Sequence, residues 1–468
     1  MRLLRVSCPS YFIAYDTSQC ILALGSFLGL VVLPTVVSLS KILAKLAIDL
    51  DKRPELIAHL TRRESIGGDD AIERVTLVES SANVVREAFK KCLSERSGGP
   101  SGLDSNGKPE GRRIGIYLTA NICLKLFFHC KKVRSAEQIF GNIYQQSPPL
   151  ALFPAPQRVT FLYYLGRYHF TNNHFFRAQL ALQESFNQCR KTDSTQRRQI
   201  LIYLIASNII LGRFPKQQIW VLPEAAQLRD KFEPICIAIK QGNINSFRQL
   251  MDIHGDHAGW FIHKRILLQL YNRCEVLIWR SLARRTFSLA GSVGDASRRA
   301  PPTLALQDLL TVAIYLEREA KDRTSIRRTR AKHTNSIFLS SKDSDQDTDQ
   351  ASAEDSYVDP DLAGAVEPVE QLFPTMEDIE SIVASLVEQD FLHGFMAHSS
   401  HRFAITGARN APALQVGFPK VWDVIRSKSD GEVPGWKKEE PRTQNSRAFG
   451  PGMVINLSGA RPAGAAPA

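Results

Sequence analysis

Between residues 156 and 213 the apolar positions recur at helical rather than strand spacing, and they predict three consecutive amphipathic helices. Val159, Leu162, Tyr163, Gly166 and Phe170 share one face of the first, with Gly166 as a point where a neighbour can come close. Thr171, Asn172 and Asn173 break the pattern with turn formers, and Phe175, Ala178, Leu182 and Phe186 begin a second face. Thr192, Asp193 and Ser194 offer N-caps for a third helix, carried by Ile200, Leu204, Ser207 and Leu211. None of these helices can bury its stripe alone. Short turns between them predict stacked antiparallel hairpins, either as a helical repeat or as an ordinary bundle.

The same period runs in both directions. Upstream it marks Leu39, Ile42, Leu43, Leu46 and Leu50, then Ile72 to Leu93, then a pair over Ile114 to Cys130 and Val133 to Gln146. Between them, residues 94–113 are rich in Gly, Ser and Pro and predict a flexible loop. Downstream, Pro215 to Asp230 is irregular, and short helices over Ile235 to Gln241 and Ser246 to Asp252 meet at Gly242 and Asn243. Trp260 to Ala290 reads as one long helix. Another is predicted from Thr303 to Glu319, with Thr303 as its cap after Pro301 and Pro302.

Order then lapses. Few large apolar residues lie between Ser340 and Leu372, so an insert over 321–371 is expected to be disordered. Thr375 to Asp378 opens a further helix like a capping box, with Ile379, Ile382, Val383, Leu386 and Val387 as its stripe. That helix is expected to expose Glu377, Asp378, Glu380, Glu388 and Asp390. Leu392 to Ala397 and Arg402 to Ile405 read as two strands joined by His398 to His401. Helix, helix and hairpin are the outline of a winged helix. The expected division is 1–33, 34–255, 256–425 and a disordered tail over 426–468.

The first 40 residues raise a question of compartment. Thr17 to Ser40 carries no charge, and Cys20 to Leu33 is almost wholly apolar, which meets the length rule for a signal anchor or membrane span. Ser26, Pro34, Thr35 and Ser38 interrupt it, and a soluble chain without a membrane partner is the preferred expectation. A membrane-anchored scaffold is the alternative. Eight cysteines are scattered singly without a CxxC pair, which suits a reducing compartment.

Charge changes the picture more. The chain carries a formal +12, which favours polyanionic partners. Arg265, Arg273, Arg280 and Arg284 fall on one sector of the Trp260 to Ala290 helix, beside Lys264 and Arg285. They form either a solvated face paired with neighbouring carboxylates or an electrostatic track for phosphates. The acidic helix after Thr375 argues against insertion into a major groove. Nucleic-acid contact is instead expected from the wing residues His401 and Arg402, from Arg409, and from the basic helix. The run at 327–333 could address the chain to the nucleus. His254 and His257 flank Gly255, with no third ligand at a zinc-like distance in sequence. The sequence contains no Gly-rich phosphate loop, HExxH or nucleophile elbow. No catalytic residue, cofactor or metal ligand is expected.

The run QRVTFLYYLGRYHFTNNHFFRAQLALQESFNQC, the following RRQILIYLIASNIILGRFP, and DIESIVASLVEQDFLHGFMAHSSHRFAI resemble PCI-domain proteins. The resemblance extends from about Pro34 to Ile425. It is strongest to the branch holding the signalosome's twelfth-subunit-like proteins and the PCI subunit of the nuclear-pore-associated mRNA export complex. It implies an all-α, TPR-like antiparallel stack ending in a winged helix, acting as a non-enzymatic scaffold. It further implies a large scaffold protein and a small acidic, largely disordered subunit as partners. RNA or double-stranded DNA would be held on a basic surface, with coupling of transcription to mRNA export at the nuclear pore. A protein-only role in a signalosome-like assembly is the alternative.

Overall fold

The computed structural model describes residues 9–26, 29–53, 55, 76–95, 103–104, 107–292, 294, 300–319, 374–408 and 412–437. The insert over 321–371, the basic run at 327–333, Arg409 and the tail beyond 437 lie outside the described residues. The chain divides into two compact units, Met1–Pro154 with Pro434–Ala468, and Ala155–Val433. Residue 255, a boundary expected from the sequence, falls inside the second unit.

The first unit is built from α1 (Pro9–Leu24), α2 (Gly29–Asp51), α3 (Leu77–Leu93), α4 (Ile116–His129) and α5 (Val133–Gln146). α2 is long and apolar enough to cross a membrane. It nevertheless has a sided surface: Leu33, Val36, Leu43 and Ala47 are buried, while Leu30, Val31 and Ile42 face outward. The loop after α3 is fixed at its far end. The guanidinium of Arg112 donates to both carboxylate oxygens of the buried Glu95 and to the carbonyl of Leu24. Arg113 donates to the carbonyl of Glu95 at 2.8 Å. A buried carboxylate needs such a partner, so residues 111–113 are held in place rather than loose.

The second unit opens with the three helices that the periodicity predicts: α6 (Ala155–Thr171), α7 (Phe175–Gln188) and α8 (Ser194–Ile210). α6 and α7 meet at Gly166. A Cβ built there would lie 2.5 Å from Cγ of the fully buried Leu182. Phe170 and Phe175 close the hairpin edge to face at 5.3 Å, and the Ser185 hydroxyl donates to the Val159 carbonyl at 2.9 Å. Arg197 of α8 donates to the carboxylate of Glu224, both side chains being less than a tenth exposed.

α9 (Arg229–Gln241), α10 (Ile244–Leu250), α11 (Ala258–Lys264) and α12 (Leu267–Ala290) continue the stack. Gly242 turns the chain between α9 and α10 at φ 71°, where a Cβ would lie 2.7 Å from the backbone nitrogen of Leu282. Only glycine meets both conditions cheaply. The single helix expected over Trp260 to Ala290 is two. Arg265 adopts φ 56°, and Ile266 donates to the carbonyl of Phe261 at 3.1 Å. That closure, with Ile266 and Phe261 both buried, ends α11 as a Schellman motif does.

The winged helix follows as β1 (Thr303–Ala305), α13 (306–319), α14 (Met376–Glu388), β2 (Gly394–Ala397) and β3 (Arg402–Ile405). The sheet order is β1-β3-β2, antiparallel throughout, with Thr303 opposite Ala404 and Phe395 opposite the same residue on the other side. Thr303 to Ala305 were expected to start a helix. Pro301 and Pro302 hold the approach extended instead, and Ile405 donates to the Pro302 carbonyl at 2.9 Å. The three residues therefore complete the sheet. α15 (Val421–Lys428) ends the unit, packing Trp422 against Phe176 with the rings tilted and their centroids 5.4 Å apart.

Candidate functional site

α12 carries the largest group of expected contact residues. Arg273 and Arg284 are eleven residues apart, which spans about 16 Å along the axis and returns to nearly the same face. Both are exposed, as is Arg285. Among the described residues none of the three pairs with a carboxylate. Arg285 reaches only the carbonyl of Gln241, at 3.5 Å. Arg280 projects onto the same sector but does not share its role. Its guanidinium is half-buried and donates to the carbonyls of Phe418, at 3.0 Å, and Pro419. Burial, and secondarily Arg284, lowers its pKa to about 10, so it remains a cation that serves the fold. The track expected along α12 is therefore interrupted at its middle.

The other basic candidates sit elsewhere. Arg265 is exposed in the turn between α11 and α12, not on the long helix. Lys264 is half-buried, and its pKa is lowered first by burial and then by Arg167 and Arg198. Its carbonyl accepts from the Tyr203 hydroxyl at 3.0 Å. Arg273 also lines a cleft of about 700 Å³ with Asn173, His174, Arg177, Phe391 and Lys428.

The wing and α14 form the second region. Thr375 and Asp378 make a reciprocal capping box, and the backbone bond from Thr375 is the main reason the Asp378 carboxyl titrates low. Asp390 pairs with Lys428. Glu377 and Glu388 stay exposed on α14, so this face still repels phosphate. Glu380 does not join them: it is buried. Its two oxygens face Nδ1 of His398 at 2.7 Å and Nδ1 of His401 at 2.6 Å. The bond from His401, against the opposing effect of burial, holds its carboxyl below the usual range. His401 is thus engaged with Glu380 as well as exposed at the wing, while Arg402 beside it is exposed and, among the described residues, has no carboxylate partner. The expectation of no metal ligand meets one candidate group among the described residues, Glu380 with His398 and His401. The His-x-x-His spacing was legible in the sequence. Its third member, 18 residues upstream, was not.

The second unit is thus a helical stack closed by a winged helix, with basic residues on its surface. No family model matches the chain. A PCI domain-containing protein of Schizosaccharomyces pombe is 28% identical over 361 residues, covering 77% of this chain and 65% of that protein. A CSN12 homolog of Gibberella zeae is 29% identical over 223 residues, 45% of this chain and 44% of the relative. PCI domain-containing protein 2 of Danio rerio is 24% identical over 213 residues, 46% and 49% of the two chains. The chain thus spans less than two thirds of the curated relatives it matches. These similarities to PCI domain-containing proteins and to a CSN12 homolog support a PCI-domain family and its signalosome-subunit-twelve-like branch.

Proposed function

We propose that the chain is a non-enzymatic scaffold subunit of a nuclear complex that couples transcription to mRNA export at the nuclear pore. In this reading it binds a large scaffold protein and a small acidic subunit, and it contacts RNA or DNA through basic side chains. The observation that carries the nucleic-acid part is the exposure of Arg273, Arg284 and Arg285 on α12 with no carboxylate paired to them among the described residues. Such arginines keep their charge available to phosphate, and the affinity they supply falls with salt and is indifferent to base sequence. Arg402 on the wing and Arg265 before α12 extend the surface. The acidic α14 makes groove reading the wrong use of this winged helix.

The test is binding of the full chain to labelled single-stranded RNA and duplex DNA across a salt series. Replacing Arg273, Arg284 and Arg285 together by Glu should weaken binding. For single strands it should also flatten the slope of log affinity against log salt by about 2, at roughly 0.7 per lost contact. A folded triple variant that binds as before refutes the nucleic-acid role. A protein-only subunit of a signalosome-like assembly is the second reading. It is favoured by the outward Leu289 and Phe395, large apolar side chains that a protein partner would cover. Recovery of signalosome subunits, and no export scaffold, with the tagged chain at native level would select it.

A further inference from the structure

We propose that Glu380, His398 and His401 form a binding site for a divalent transition metal, with Zn²⁺ the ion the ligand set fits, and that the ion clamps the wing to α14. The site is assembled by three separate features. The turn after β2 is a single 3₁₀ turn, His398–Ser400, closed by the His401 amide donating to the His398 carbonyl at 3.2 Å. Three residues per turn bring side chains three apart to the same side, so the two imidazoles converge. Their rings meet at 5.8 Å between centroids. The strained left-handed conformation of His401, φ 48°, is what allows the chain to enter β3 directly after presenting its ring.

Glu380 supplies the third ligand from the opposite element. Its carboxylate is buried at the base of the wing, and among the described residues neither Lys nor Arg pairs with it. The three ligand atoms lie within 4.8 Å of one another. Zn²⁺ bonds imidazole nitrogen and carboxylate oxygen at about 2.0–2.2 Å, which places tetrahedral ligands about 3.3 Å apart. The two contacts of 2.6 and 2.7 Å need open by well under 1 Å. The exposed rings can rotate to give that room. Two imidazoles and one carboxylate are a borderline set that suits zinc better than calcium or magnesium, whose sites are built from oxygen. The solvent side remains open for water as a fourth ligand. Binding would join the β2–β3 turn to α14 and place positive charge on a helix that otherwise carries Glu377 and Glu388. The site stands whether or not the chain binds nucleic acid.

The experiment is calorimetric titration of the metal-stripped full chain with Zn²⁺ at neutral pH, with His398→Ala, His401→Ala and His254→Ala in parallel. All three replaced side chains are exposed, and far-UV circular dichroism of each variant checks that it is folded. The expected result is one equivalent bound, weakened at least tenfold by either wing substitution and unchanged by His254→Ala. Co²⁺ in place of Zn²⁺ should then show no thiolate charge-transfer band. Affinity that is absent, or that survives both wing substitutions, or that carries a thiolate band, overturns the assignment and leaves the triad as a hydrogen-bonded cluster.

Discussion

Replacing Gly166 by Ala sets two effects against each other at a single position. Within a helix, Ala is favoured over Gly by about 1 kcal/mol, so α6 taken alone predicts a gain. The added Cβ, however, falls 2.5 Å from Cγ and 2.8 Å from Cδ2 of Leu182. Cγ is the branch point of a fully buried side chain and cannot swing aside as a chain terminus could. Overpacking of this kind costs about 1–3 kcal/mol, so Gly166→Ala should destabilise by about 1 kcal/mol net. The sign should reverse where the room exists. Leu182→Ala alone should cost about 2–5 kcal/mol, and adding Gly166→Ala to it should recover up to about 1 kcal/mol. Urea unfolding followed by tryptophan emission suits the measurement. Trp220, Trp260, Trp279 and Trp422 belong to the same compact unit as Gly166, and only Trp436 does not. If Gly166→Ala stabilises the unaltered chain as much as it does the Leu182→Ala background, the close approach of α6 and α7 does not limit this hairpin.

Arg280 and Arg273 should behave differently although they share a helix face. Arg280→Glu sets a half-buried carboxylate against the carbonyls of Phe418 and Pro419 and should cost at least about 2 kcal/mol in thermal or urea unfolding. Arg273→Glu at the surface should stay within about 0.5 kcal/mol. Equal stabilities would show that the Phe418–Pro419 segment does not cover α12. The buried pair of Arg197 and Glu224 predicts an acid-sensitive stack. Burial raises the Glu224 carboxyl, but the bond from Arg197 and the lesser contributions outweigh it, so its pKa is lowered on folding. A lowered value means that this contribution is complete above the unfolded glutamate pKa of about 4.3 and is lost as the pH falls through the folded one. Glu224→Gln should therefore flatten the decline of stability below that point, read by unfolding at successive pH values. An unaltered decline would assign the acid sensitivity to other carboxylates.

The helical stack, the resemblance to PCI-domain proteins and the hairpin of the winged helix were legible in the residues alone. These rest on local rules: apolar residues at helical spacing, turn formers between stripes, capping residues and alternation in short strands. Even Gly166 could be read as a close approach, because it lies in an apolar stripe. Tertiary structure decided the rest. Thr303–Ala305 is a strand only because β3, a hundred residues later, offers an unpaired edge. Arg280 leaves the basic face because carbonyls 138 residues further on receive its guanidinium. Glu380, one acidic residue among several on α14, turns inward because two histidines of the wing sit against it. A periodicity reports which face of an element is apolar. It carries no term for the distant backbone or side chain that a polar group on that face will meet, and on this chain those meetings decide which charges remain exposed to a partner.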